Sequence, residues 1–300
     1  MGDLGRVLDG KAFLLFDGAM GTMLQKRGIS SEGPAELLCL SNPEAITGIH
    51  RAYVEAGSQV VTTNTFGANR LLLDGAASVD EVFAAAVACA RSAGAEFVAA
   101  DIGPTGELLD PLGDLEFEEA QELFAEMAAA GAAAGADLVI VETMADPQEA
   151  EAAVRAAKES CDLPVFATMT FGKGGRTIFG TTPGDAARLF DELGADAIGV
   201  NCSLGPDSLG PIVEELVAAT ERPIIVQANA GLPSVVGGET TYSVDAAEYA
   251  EAVAGLVDAG ATIIGGCCGT DPDYIRGIRE VLETREALLE TGDSLLETSE

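Results

Sequence analysis

Residues 134–150 read AGADLVIVETMADPQEA. Gly135 stands where a helix C-cap needs a left-handed residue. Leu138–Glu142 (LVIVE) is a near-continuous apolar run of strand length, the mark of a strand buried on both faces of a parallel sheet. Asp146 and Pro147 then supply an N-cap and a first-turn proline for a helix over Asp146–Ser160. Helix end, buried strand and helix start follow one another with no linker between them.

The same unit recurs in both directions. Further apolar runs are Phe13–Phe16, Gln59–Thr63, Phe97–Asp101, Val165–Met169, Ala197–Asn201, Ile224–Ala228 and Thr262–Gly265. Segments with helical spacing lie between them: Asn42–Ala56, Ser78–Ala95, Glu116–Ala134, Pro183–Leu193, Asp207–Thr220, Val244–Ala259 and Asp271–Thr284. Asn42 is expected to cap the first of these, with Pro43 at its first turn. Gly57, Gly194 and Gly260 repeat the helix-ending role of Gly135. Eight strands, each followed by a helix, predict an α/β fold, and in a chain of 300 residues a single closed (β/α)8 TIM barrel. The expected division is a barrel over 1–284 and an acidic tail over 285–300, frayed or disordered.

Composition narrows the function classes. Lys and Arg total 16 against 49 Asp and Glu, a net charge of −33, which argues against nucleic acid and anionic membrane surfaces. The plain reading of this charge is a solubilising surface, the sharper one steering of a basic partner. No apolar run reaches the length of a membrane span, and residues 1–11 lack the pattern of a secretion signal, so a cytoplasmic location is expected. The single histidine, His50, makes a Ser–His–Asp triad or a His-rich metal site improbable, and a hydrogen-bonded structural role is expected for it.

In this barrel the chemistry sits at the C-terminal ends of the strands. Cys202 follows the sixth run, and Cys267 with Cys268 follows the eighth. Flanking the seventh strand, these three thiols can meet at one rim. Three thiolates with an open fourth position make a catalytic zinc site; three small core residues are the alternative. Cys39, Cys89 and Cys161 fall on or beside helices and read as packing residues. Asp17 and Glu142 end the first and fourth strands with no lysine or histidine near them, which suits an ammonium group on a ligand; N-caps or rim hydrogen bonds are the alternative. Gly18 and Gly21 are either turn glycines or part of a backbone anion site.

The phrases DGAMGTMLQKRG, VTTNTFGANR, DIGPTGELL, VIVETMADPQEA, GVNCSLGP, QANAGLP and GGCCGTDPDYIRGI together resemble the homocysteine S-methyltransferase family over about residues 12–280. The resemblance implies a (β/α)8 barrel, Zn2+ held by Cys202, Cys267 and Cys268, and homocysteine bound as a thiolate. It implies that the turn through Asp17, Gly18 and Ala19 holds the substrate carboxylate, that Glu142 faces its ammonium, and that Asn229 lies near the zinc. TNTFGAN, GPTGELL and NAGLP look most like the homocysteine-binding module of cobalamin-dependent methionine synthase. That points to a methylcorrinoid on a separate protein as methyl donor. No DxHxxG-type cobalamin motif is present, so methylcobalamin is not expected to bind this chain alone. The alternatives are another small thiol, another donor such as S-methylmethionine or betaine, or a non-catalytic thiol-binding subunit.

Overall fold

The computed structural model describes residues 4–291 apart from 32, 237 and 238. Eight parallel strands form one sheet: β1 Leu14–Leu15, β2 Val60–Thr62, β3 Phe97–Ile102, β4 Leu138–Met144, β5 Val165–Met169, β6 Ala197–Asn201, β7 Ile224–Ala228 and β8 Ala261–Gly266. Their order is sequential from β2 to β8, and β8 pairs with β1 at Leu14–Ile263 and Leu15–Ile264. A parallel bridge from Phe16 to Val60 and a 2.8 Å bond from the Gln59 N–H to the Leu15 carbonyl bring β1 against β2. The ring is thereby closed as a (β/α)8 TIM barrel.

Eight helices follow the strands in turn: α1 Pro43–Ala56, α2 Val79–Ser92, α3 Phe117–Ala133, α4 Pro147–Ser160, α5 Pro183–Glu192, α6 Gly210–Ala219, α7 Ala246–Asp258 and α8 Pro272–Thr291. Local chemistry sets their starts. Ser78 and Glu81 form a capping box on α2, Asp245 and Glu248 another on α7, and the Asp146 carboxylate accepts the Gln148 N–H on α4. Gly57, Gly135, Gly194 and Gly260 all take positive φ beyond helix ends, as their positions require.

Some details differ from expectation. The Asn42 side chain makes no capping bond on α1, whose start rests on Pro43 alone. The expected helix over 207–220 splits into a short 3-10 turn, Pro206–Ser208, and α6, because Pro211 fixes the backbone at the start of the α-helix. An antiparallel hairpin, Ser234–Val236 with Glu239–Thr241, rises from the loop after β7. The last helix runs to Thr291, seven residues beyond 284; residues 292–300 of the expected tail lie outside the described residues.

Strand side chains alternate between the two faces of the sheet. Outward residues such as Leu15, Val61, Val98, Val139 and Val226 join the helices in one large core. Inward residues form a second core inside the barrel: Leu14, Phe16, Val60, Ala99, Leu138, Ile140, Phe166, Ala197, Ile225 and Ile263, with Val7 and Ala12 beside them. Further along six of the strands this inward row turns polar, at Thr62, Asp101, Glu142, Thr168, Asn201 (beyond Gly199) and Gln227, while on β1 and β8 it passes to Gly18 and Gly265. The strands thus carry a dry lower layer and a polar mouth.

Candidate metal centre and acidic cavity

A cavity of about 340 Å³ opens at the mouth, lined by Asp17, Gly18, Ala19, Glu36, Asp101, Glu142, Cys202, Cys267 and Cys268 among others. Among the described residues, neither lysine, arginine nor histidine lines it. The three cysteines converge as the barrel required. Their sulfurs lie within 4.8 Å of one another, with Cys202–Cys268 at 4.0 Å and Cys267–Cys268 at 3.9 Å. All six cysteines are free thiols.

Backbone geometry presents the trio. Cys202 and Ser203 adopt φ of 60° and 57°, a left-handed conformation that costs non-glycine residues energy and concentrates at functional sites. The Cys267 N–H binds the Ala228 carbonyl and the Cys202 N–H the Gln227 carbonyl, tying both cysteine turns to β7. The ring of Tyr242 lies on Gly269, where a Cβ would come within 2.3 Å of it. The neighbouring thiols Cys267 and Cys268 hold the Cys202 thiol far below its usual range, while Cys267 is pushed well above it. Three thiols this close cannot all ionise unless a cation stands among them. Zn–S bonds of about 2.3 Å in a tetrahedron separate sulfurs by ~3.8 Å, so the trio fits a zinc ion.

The carboxyls of the cavity are also displaced. Burial pushes Asp17 up to about 7, against hydrogen bonds from Thr62 that pull it down. Its oxygens accept the Thr62 hydroxyl at 2.8 Å and the Thr62 N–H at 3.0 Å. Burial, then the charges of Cys202 and Asp17, push Glu142 up to about 8. Its remaining exposure is to the cavity. Asp101 is raised well above the carboxylate range by burial, then by Glu142, Asp17 and Glu36. Asn201 braces this wall: its amide accepts from the Thr143 N–H and the Thr168 hydroxyl and donates to the Thr143 hydroxyl.

The two glycines of the first turn separate. A Cβ on Gly18 would meet Thr270 Oγ1 at 2.7 Å and the Tyr53 ring at 3.0 Å, so glycine is needed there for close approach. Gly21 faces open space. The Ala19 N–H already donates to Thr270 Oγ1 at 3.2 Å. The next N–H groups, in the first turn of the short helix Met20–Lys26, have no intrahelical acceptor. Asn229 is buried beside the trio, and its amide interacts with Cys202.

Other expectations meet mixed outcomes. Cys39 and Cys89 are buried and Cys161 half-buried, in keeping with packing roles. His50 is fully buried, but neither ring nitrogen has a hydrogen-bond partner, so it is not the satisfied histidine expected. Desolvation on α1 lowers it to about 4. Asp101, Gln227 and Glu36 were not singled out from the sequence. The signal for the first two is their parity with inward Ala99 and Ile225; nothing in the sequence brings Glu36 to the mouth.

A closed (β/α)8 barrel with a three-thiol centre facing an acidic cavity defines a narrow class of protein. The chain matches the family model of homocysteine S-methyltransferase over residues 14–282, and it belongs to that family. It is 34% identical over 287 residues to methionine synthase of Mycobacterium leprae and 34% identical over 285 residues to that of Mycobacterium tuberculosis. Each match takes in 87% of this chain but only 24% of the relative. Among solved structures it is similar to the homocysteine methyltransferase MmuM of Escherichia coli. The oxidised form matches at TM-score 0.78 and 25% identity, over 93% of this chain and 99% of the other. The metallated form matches in fold at TM-score 0.77 and 24% identity, over 92% and 99%.

Proposed function

We propose that this protein is a zinc-dependent methyltransferase that moves a methyl group onto the thiol of homocysteine to give methionine. The observation that carries the reading is the trio Cys202, Cys267 and Cys268 at the edge of a cavity whose charged side chains are all acidic. Zinc held by these thiolates would keep an incoming thiol ionised at neutral pH. Everything else falls to the chain's own groups. Glu142 receives the substrate ammonium, and the open N–H groups after Gly18 and Ala19 receive its carboxylate. Asp17 is held by Thr62 and keeps that turn against β2. Such two-ended binding fixes the sulfur toward the cysteines, and orientation is where a protein gains most in a simple displacement. Asn229 stands close enough to Cys202 to steady it.

The methyl donor is proposed to be a methylcorrinoid carried by a separate protein. The kinship with methionine synthase supports this, although the chain spans about a quarter of those relatives' length. Large apolar side chains are also exposed on the loops after β2, β3, β5 and β7: Phe66, Leu108, Leu112, Ile178, Leu232 and Val235. Exposed apolar groups around a site suit a macromolecular partner better than a small polar donor. Among the described residues no helix is long and apolar enough to cross a membrane.

The test supplies zinc-loaded protein and homocysteine with a methylated corrinoid protein, methylcobalamin, S-methylmethionine and betaine in parallel, and measures methionine. Methionine from the corrinoid protein alone is expected. Turnover with betaine or S-methylmethionine instead would reassign the donor, and no methionine from any of them would remove the catalytic reading.

A further inference from the structure

One carboxyl at the mouth has no assigned task. Asp101 ends the inward row of β3, is 5% exposed and lines the cavity. Only its backbone is held: its N–H donates to Thr63 Oγ1 at 3.0 Å, and its carbonyl accepts the Thr65 hydroxyl at 2.8 Å. Its Oδ1 is sealed from solvent and has no hydrogen-bond partner among the described residues. The other buried acids are served. Asp17 accepts twice from Thr62, and Glu149 accepts the Thr105 N–H and hydroxyl. Glu36, at the cavity edge, accepts the Gly67 N–H at 2.7 Å.

A buried acceptor left bare is costly, and native proteins retain one where something else will fill it. The Asp101 side chain lines the same cavity as Glu142, whose charge acts on it, and as Gln227, whose Oε1 is a second buried oxygen with no partner. Acceptors without donors, in a cavity without a protein cation, call for a ligand group that only donates and carries positive charge. A primary ammonium has three N–H donors and no acceptor.

We propose that Asp101 is a specificity-determining residue for the acceptor: with Glu142 it receives the α-ammonium of an amino-acid thiol and so favours such thiols over plain mercaptans. This rests on the reading of the site as a homocysteine site. It gives Asp101 a role distinct from that of Asp17, whose carboxylate is already engaged by Thr62.

The test uses the full zinc-loaded chain, calorimetry, and two probes: L-homocysteine and 4-mercaptobutanoate, the same thiol acid without the amine. Asp101→Asn keeps size and removes charge. It is expected to weaken homocysteine about 10- to 100-fold, the range of a lost charge-assisted bond. The affinity for 4-mercaptobutanoate should hold within about twofold, since it makes no such bond. Zinc content should be unchanged, and Tm unchanged or higher, because an unpaired buried acid has been removed. Equal losses for both thiols, no loss for homocysteine, or a variant that fails to fold would each overturn the proposal by making Asp101 scaffold. Wild-type protein that does not prefer homocysteine over 4-mercaptobutanoate would break the amino-acid reading, and the proposal with it. A wild-type preference that survives in Asp101→Asn breaks the proposal alone.

Discussion

The lower barrel and its mouth are built on the same strands, a few residues apart, yet follow opposite rules. Below, inward apolar side chains pack into one cluster, with Phe16 and Phe166 at 6.0 Å between ring centroids. Above, oxygen atoms of Asp101, Gln227 and Asn229 are buried without partners, and Thr143, Cys202 and Ser203 sit at positive φ. The lower layer gains stability from burial, while the mouth gives some up. The two layers share strands but are lined by different side chains. Substitutions should therefore separate: those at the mouth change binding with little change in fold, and those below do the reverse.

The sharpest break is expected at the metal. Cys267→Ser should drop zinc from about one per chain to near zero and abolish methyl transfer, as should exhaustive chelation of the wild type. The rise in Tm that added zinc gives the wild type should vanish, while the Tm of the metal-free variant stays near that of the metal-free wild type. If metal-free Cys267→Ser unfolded, the mouth would be part of the stability core and the contrast would fail. Phe166→Ala is the opposite case. Losing a buried ring should cost about 3–5 kcal/mol, read from urea midpoints, with zinc stoichiometry unchanged. A loss of zinc in folded Phe166→Ala would mean that the layers are coupled.

The lower layer and the cysteine centre were legible in the sequence for one reason: both depend on which strand a residue ends. LVIVE and its counterparts announce doubly buried strands, and helix-ending glycines place the unit boundaries. Cys202 and the Cys267–Cys268 pair then fall on flanking strands by counting. Asp101 ends FVAAD, but its parity with Ala99 has meaning only inside a closed barrel. Glu36 and Tyr242 reach the mouth from loops whose paths no local pattern sets. Asn42 shows the limit of cap rules, since a good capping residue need not bond when a proline already starts the helix. For His50 the expectation of a hydrogen-bonded ring fails, because a lone histidine on an apolar helix face looks the same in sequence whether its nitrogens are paired or bare.

His50 also tests the contrast, as a bare polar group on α1 that does not line the cavity. Burial lowers it to about 4 from an ordinary 6.5. The unfolded chain takes up a proton as pH falls through 6.5, while the folded chain refuses it until about pH 4, so stability falls across that window. The acids of the mouth act in the opposite sense. Asp17, raised to about 7, binds its proton more tightly when folded, so its burial penalty is absent below the unfolded value of 3.8 and grows as pH rises toward 7. His50→Leu should isolate the histidine's share. Near pH 4.5 the variant should gain about 2–3 kcal/mol on the wild type relative to their difference at pH 7.5. Parallel pH–stability curves would mean that a water or a shifted neighbour pairs His50 in solution.

The smallest effect expected is also the most discriminating. Glu142→Gln keeps shape and removes charge. Glu142 is raised to about 8, so in the empty cavity it is largely protonated at neutral pH, and the fold should not register the change. Homocysteine should register it. An ammonium arriving in the cavity stabilises the ionised carboxylate, and the charge-assisted bond so formed is worth about 1.5–3 kcal/mol. Its loss weakens binding roughly 10- to 150-fold. A mercaptan without an amine has nothing to offer Glu142 and should bind the variant as it binds the wild type. If Glu142 and Asp101 grip the same ammonium, Glu142→Gln and Asp101→Asn together should cost less than the sum of the two alone, because an ammonium released by one acid is no longer held for the other. Additive losses would place the two carboxyls on separate groups of the ligand. Equal losses for both kinds of thiol in Glu142→Gln would make the acid part of the frame, and the mouth would then differ from the lower layer in polarity without recognising an amino acid.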